Sequence, residues 1–280
     1  MNLLNAIAVG LKEVWAHKFR SLLTMLGLIL GVSSLVAMSA LVSGMEKGAR
    51  EGLVAIGALN KFRIETEDLP AEQRYLQDQA RGLTLGDVDA LRVGAPLIQD
   101  LSPEIRMRNV TITRGGKSVR PWRLSGVLPV AVDFSEHVVE HGRPLSLLDE
   151  EHAASVCVIG TGTRDELFGS PEETGEPVVP IGETVYLNNQ PFTIVGMFQH
   201  YESPEDAQRR AEAQAAGGPA RSRGYTRGNM ASHIYRYKNM NVFIPLNTAR
   251  IKFLAGQTNA SMDQLTHIEA RIADYEQLTP

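Results

Sequence analysis

Two short stretches and one thiol carry side chains of the kinds that do chemistry. Gly115-Gly116-Lys117-Ser118 places glycine, lysine and a hydroxyl in the order of a phosphate-binding loop. That chemistry requires an earlier glycine, as in G-x-x-x-x-G-K-[ST], and a strand–loop–helix setting whose amides cradle phosphate. The earlier position is Thr111, and Pro121 follows. The glycine pair therefore reads as a turn joining two strands, and no ATP binding is expected there. Glu136, His137, Glu140 and His141 offer metal-ligand types, the two histidines four apart as on a helix turn, with His152 nearby. Zinc needs three or four converging ligands with hydrogen-bonded support behind them. A polar helix end before Gly142 accounts for these residues without an ion, so no metal is assigned. Cys157 sits in an apolar strand, where a thiol is an inert core group. No Ser-His-Asp or paired-carboxylate arrangement has a readable spacing. The expectation is a protein that is not an enzyme, with no catalytic, cofactor-binding or metal-binding residue.

The elements around these residues point elsewhere. The chain has 280 residues, 28 Lys+Arg and 32 Asp+Glu, a formal net charge of -4, and one cysteine. This composition excludes collagen, a long disordered tail, a disulfide scaffold and a nucleic-acid binder driven by bulk charge. The charge is unevenly placed. Residues 1–45 hold Lys12, Lys18 and Arg20 against Glu13, so a basic head precedes an acidic body.

From Ser21 to Met45 there is no charged residue and no proline. A helix over that run spans roughly 37 Å, more than the ~30 Å of a hydrocarbon core. The spacing predicts a transmembrane helix within 21–45. A cleaved signal peptide, with Ala37-Met38-Ser39 as its site, is the lesser alternative, because the run is too long for an h-region. Before it, Leu4, Ile7, Leu11, Val14 and Trp15 recur at helical spacing opposite Asn2, Asn5, Lys12 and Glu13, predicting an amphipathic interfacial helix over 1–20. Lys12, Lys18 and Arg20 flank one end of the span, and Lys47 and Arg50 the other; this bias favours a cytoplasmic amino terminus. Gly27, Gly31 and Ser34 form a small-residue stripe that would let a second helix approach closely.

The body, 46–280, mixes strand and helix signals. Lys61–Thr66 alternates as a strand. Thr84 and Asp87 mark a helix start, with the helix running to about Arg92. Arg108–Arg114 and Ser118–Ser125 read as a hairpin around Gly115-Gly116, and Glu183–Leu187 with Phe192–Met197 as a second around Asn188-Asn189. Val156–Ile159 and Asn241–Ile244 read as strands, Thr163–Phe168 as a short helix. Leu246–Leu254 and Met262–Leu278 read as helical or mixed. Residues 199–238, rich in Ala, Gly and Arg, read as a flexible insertion. Its Arg209, Arg210, Arg221, Arg223 and Arg227 form a solvated surface, or contact anionic lipid. The fold class is α+β: one N-terminal transmembrane helix, then an extracytoplasmic mixed α/β core with β-hairpins.

HKFRSLLTMLGLILGVSSLVAMSALVSGMEKGARE resembles the first membrane helix of MacB-type ABC transporter permeases, relatives of the lipoprotein-release permeases and FtsX. Arg20, Ser21, Leu23, Thr24, Leu26, Gly27, Gly31 and Val32 match that family's pattern, and Gly44 and Gly48 echo its small-residue end. The body is similar to the family's periplasmic core domain, in the order LTLGDVDALR, Leu101-Ser102-Pro103, Ser125–Pro129, Gly142-Arg143-Pro144, Asp149-Glu150, Val158-Ile159-Gly160, Leu167-Phe168-Gly169, Pro180-Ile181-Gly182, Phe192–Gly196 and Val242–Leu246. The 199–238 segment is poorly matched. The resemblance implies an inner-membrane permease subunit that passes force from cytoplasmic ATP hydrolysis to a periplasmic domain, for efflux of a drug, peptide or lipoprotein. It implies a separate ABC ATPase subunit, a second permease protomer, contact with membrane lipid and a periplasmic adaptor protein as partners, with no nucleic acid. It also implies that the C-terminal part of the core and later membrane helices are missing from this chain. The alternative is a singly anchored extracytoplasmic binding or scaffold protein.

Overall fold

The structure is a computed structural model describing residues 12–13, 15–55, 61–67, 70–73, 75, 82–215, 230–254 and 264–272. The chain forms two units, residues 1–50 and 51–280. In the first unit, Lys12, Glu13, Trp15 and Ala16 are helical, and a turn at His17 leads into the long helix α1, Lys18–Ala55. Two backbone bonds carry that junction, His17 N–H to Glu13 O at 3.2 Å and Ser21 N–H to His17 O at 3.0 Å. Leu4, Ile7, Leu11 and Val14, which define the expected interfacial face, lie outside the described residues. Within α1, Lys18–Arg50 is long and apolar enough to cross a membrane by length and composition. Leu22, Leu23, Leu28, Ile29, Leu30, Leu35, Val36 and Leu41 are all exposed, so the apolar surface runs round the whole helix. A helix apolar on every side is stable only in lipid or among other helices.

The second unit is built on a long mixed sheet. Its strands are β1 (Lys61–Glu65), β3 (Ile98–Met107), β4 (Ile112–Arg114), β5 (Lys117–Val119), β6 (Arg123–Val127), β7 (Val139–Gly142), β8 (Val156–Ile159), β9 (Thr184–Leu187), β10 (Gln190–Phe198), β11 (Asn241–Pro245) and β13 (His267–Ile272). The order is β1-β13-β3-β6-β11-β8-β10-β9-β4-β5, with β7 paired to β10 beyond β9. β6–β11 and β8–β10 run parallel, and the remaining pairs are antiparallel. β2 (Leu83–Thr84) and β12 (Gln264–Leu265) form a separate two-stranded ladder. The helices are α2 (Leu85–Gly94), α3 (Ala131–Phe134), α4 (Leu147–Glu151), α5 (Thr161–Phe168), α6 (Pro171–Thr174), α7 (Pro204–Ala215), α8 (Met230–Asn239) and α9 (Leu246–Ala249), which continues as a π turn over Arg250–Leu254.

Local chemistry explains most of these elements. The Asp87 carboxylate accepts the Thr84 N–H at 2.7 Å and its hydroxyl at 2.9 Å, which starts α2. Gly115 and Gly116 have φ of 56° and 84°, and Asn188 and Asn189 have 44° and 68°, so both hairpins turn through paired left-handed residues. The first hairpin is shorter than expected. Ser118–Ser125 divides into β5 and β6 at Arg120-Pro121-Trp122, because proline cannot donate to a ladder, and β6 then pairs with β3 and β11 instead. Arg108–Arg114 likewise gives way, with Arg108 following the end of β3 and only Ile112–Arg114 in strand.

Two further expectations are corrected. Residues 264–265 and 267–272 of the span read as helical or mixed are strand, with Ile268, Ala270 and Ile272 buried alternately. β13 inserts between β1 and β3, so both its edges are occupied and the ladder decides the conformation. Glu136 to His141 makes no helix turn: Glu136 takes φ 50°, and Val139–Gly142 forms β7. The 199–238 segment contains α7 and α8, and 216–229, with Arg221, Arg223 and Arg227, lie outside the described residues.

Candidate functional site

Gly27, Gly31 and Ser34 fall four and three residues apart on α1, hence on one helical face. A Cβ at Gly27 or Gly31 would meet nothing within 4 Å among the described residues. The stripe is thus open surface in this chain.

The motif residues of the body serve architecture. Arg143 grips the Asp149 carboxylate with two N–H groups, at 2.5 and 3.0 Å, and Asp149 also accepts from the Ser146 N–H and hydroxyl at the start of α4. The Arg143 fork, with Ser146, holds the Asp149 carboxyl well below the usual range despite partial burial. Glu150 accepts the Asn247 N–H at 3.0 Å, tying α4 to α9, and burial pushes its carboxyl upward. The Cys157 thiol is fully buried and pushed up to about 12. His137 and His141 do not converge: His137 is in the core, its ring stacked at 4.2 Å on Phe198, whereas His141 lies on β7.

The residues that do converge are far apart in sequence. Glu104 on β3 is 2% exposed and 19 positions from Arg123 on β6, itself 7% exposed. Arg123 Nε donates to Glu104 Oε1 at 2.9 Å, its NH2 donates to Oε2, and the Ser125 hydroxyl donates to Oε1 at 2.6 Å. His267, opposite Glu104 on β13, places Nε2 3.3 Å from Glu104 Oε2 and 3.7 Å from Glu269 Oε1. Arg63 on β1 donates to Glu269 at 3.1 Å. Burial lowers the His267 pKa, which favours the neutral imidazole. Burial alone would raise the Glu269 carboxyl; His267, the Arg123 charge and Arg63 outweigh it and hold Glu269 at about 2. Glu104, His267 and Glu269 bring three donor atoms within 4.8 Å of one another, a possible metal set. Arg123 and Arg63 already sit on those carboxylates, so a divalent ion there would add charge to a neutralised cluster.

A cavity of about 250 Å³ opens beside this cluster, lined by Lys61, Phe62, Arg63, Arg123, Phe134, Ser135, His137, Tyr237, Lys238, Asn241 and Glu269. α3 supplies Phe134 and the end of α8 supplies Lys238, so the cavity is a product of the whole topology. Sequence spacing contained no signal for it, since its residues come from β1, β6, β11, β13, α8 and the α3 turn.

A helix long and apolar enough to cross a membrane precedes a sheet-rich mixed α/β domain with internal charge pairs. A family model described as the MacB-like periplasmic core domain matches residues 21–279, and the chain belongs to that family, a permease component of ABC transporters. It is 28% identical over 195 residues to the macrolide export ATP-binding/permease protein MacB of Aggregatibacter actinomycetemcomitans, covering 70% of this chain and 28% of that protein. It is 28% identical over 211 residues to the pyoverdine export ATP-binding/permease protein PvdT of Pseudomonas syringae pv. tomato, covering 70% and 28%. The matched region is thus under a third of the length of these curated relatives. The fold is that of the periplasmic region of MacB from Actinobacillus actinomycetemcomitans, with a TM-score of 0.51 at 18% identity over 80% of this chain and 78% of that one. The extracellular domain of the ABC-type transporter YknZ from Gram-positive bacteria gives 0.50 at 15% identity over 78% and 85%.

The buried ion pair yields a stability prediction. Arg123→Met leaves Glu104 charged and short of its main partner, which should destabilise the domain by about 3–5 kcal/mol. Adding Glu104→Leu should recover much of that loss, read as unfolding free energy from denaturant titration. Additive effects of the two substitutions would show that the pair is not coupled.

Proposed function

We propose that the chain is the amino-terminal part of a MacB-type permease of the inner membrane, with residues 1–20 at the interface, 21–45 across the bilayer and 46–280 in the periplasm. The amino terminus is cytoplasmic in this reading. One observation carries the proposal: a single family match runs unbroken from Ser21 in the apolar helix through the sheet domain to Thr279. Hydrolysis by an ABC ATPase, on the cytoplasmic side, moves the periplasmic domain, and the domain performs no bond chemistry of its own. The relatives named for macrolide and pyoverdine export support an export role. The cargo is then a small molecule, a peptide or a lipoprotein. A second permease protomer, a periplasmic adaptor and membrane lipid complete the assembly, and Gly27, Gly31 and Ser34 form the face on which another membrane helix packs.

Topology is testable with one thiol. The native Cys157 is buried and poorly ionised, so it stays silent. Lys117→Cys, on the exposed hairpin, should react with a membrane-impermeant maleimide from the periplasmic side. Reaction only after the cytoplasmic face is opened would reverse the orientation.

Helix packing is testable in a complete permease. Gly27→Leu with Gly31→Leu should leave insertion intact, because leucine favours the bilayer, and weaken helix association and transport. Unchanged association and transport would mean that the glycines face lipid.

A further inference from the structure

The wall of the cavity beside the buried ion pair has a definite chemistry. Four cations line it, Lys61, Arg63, Arg123 and Lys238, against the single carboxylate of Glu269. The two ammonium groups are set on backbone oxygens: Lys238 Nζ donates to Glu136 O at 2.7 Å, and Lys61 Nζ donates to Phe134 O. Burial lowers both lysine pKa values, Lys238 to about 8; the Glu136 carboxylate opposes that shift for each, and a neighbouring cation, Arg271 for Lys61 and Lys61 for Lys238, adds to it. Glu104 and Glu269 pair with Arg123 and Arg63, and Glu136 lies 3.6 Å from Lys61 Nζ, so the two lysines are the cations of this wall least committed to carboxylates.

Two buried polar atoms on the same wall lack hydrogen-bond partners among the described residues, His137 Nδ1 and Asn241 Oδ1. His137 is 5% exposed and Asn241 1%. Asn241 Nδ2 lies 3.1 Å from His137 Nε2. In this amide orientation the Asn241 N–H donates to Nε2, and the neutral imidazole carries its proton on Nδ1. Burial, then Lys238 and Arg123, keep this ring neutral by pushing its pKa well below the ordinary value. The result is a buried N–H donor with no partner among the described residues, near the Lys238 and Arg123 charges. Unsatisfied buried polar atoms of this kind cost free energy unless a ligand or water meets them. Phe134 and the Tyr237 ring add aromatic surface to the lining.

We propose that this cavity binds a small organic carboxylate with an apolar body, its oxygens taken by Lys61, Lys238 and His137 Nδ1 and its body against Phe134 and Tyr237. Charge-assisted bonds to a carboxylate are strong where water is partly excluded. The volume, just below the usual range for drug-sized ligands, suits a compact molecule. The aromatic wall selects an organic acid over inorganic phosphate, which would have to shed a tightly held hydration shell against phenyl rings.

The test uses the whole chain in detergent, with benzoate, its neutral isostere benzamide, and inorganic phosphate as probes in calorimetric titrations. Benzoate should bind saturably, with benzamide and phosphate each at least about tenfold weaker, a difference of about 1.4 kcal/mol. Lys238→Met and Lys61→Met should each weaken benzoate about tenfold, with folding checked by circular dichroism. Absence of saturable benzoate binding, equal affinity for benzamide, or tighter binding of phosphate would overturn the proposal. So would unchanged benzoate affinity in a folded Lys238→Met protein. The benzoate–benzamide contrast needs no variant and decides the matter if neither substituted protein folds.

Discussion

A carboxylate enclosed within a sheet has to be neutralised where it stands, because moving an unpaired charge out of water costs several kcal/mol. Glu104 imposes that condition on the sheet unit. Arg123 and Ser125 meet it from β6, and His267 faces it from β13. Glu269, one turn of the pleat further along β13, passes the chain of contacts to Arg63 on β1. Four strands are thereby held in one register by side chains as well as by their ladders. A slip of one residue would carry Glu104 to the opposite face and leave Arg123 buried without its partner. The same cations then form one wall of the cavity, so the element that fixes the register also sets the local charge.

The two units solve opposite solvent problems. The sheet unit buries its apolar side chains internally, around Phe192, Ile194 and Val242 on one side and Phe198 and Phe243 on the other. α1 buries almost none of its own, and its leucines need lipid or other helices around them. That division accords with a family whose permeases combine membrane helices with a domain outside the bilayer. The motif residues Arg143, Asp149 and Glu150 are held in hydrogen bonds within the sheet unit.

Features that depend on local chemistry were legible in the sequence. The charge-free run from Ser21, the Thr84–Asp87 start of α2, the Gly-Gly and Asn-Asn turns, and the strands Val156–Ile159 and Asn241–Pro245 each follow from neighbouring residues. β3 was hidden by Pro103, tolerated because the ladder with β6 begins only at Glu104. β13 was hidden because its conformation is set by β1 and β3, far away in sequence, although Ile268, Ala270 and Ile272 alternate as a strand should. The His137–His141 spacing suggested one helix face, yet ring stacking on Phe198 took the first histidine into the core. The ion-pair cluster and the cavity were not legible at all, since sequence spacing cannot show which strands become neighbours.

The central claim is that the sheet domain moves when ATP is hydrolysed on the far side of the membrane. The direct measurement is the distance between spin labels at Lys117→Cys in the two protomers of a complete permease, reconstituted with its ATPase. The account predicts that the distance distribution shifts between the nucleotide-free and ATP-bound states, and returns after hydrolysis. An identical distribution in every nucleotide state, in a preparation that hydrolyses ATP and transports, would contradict it.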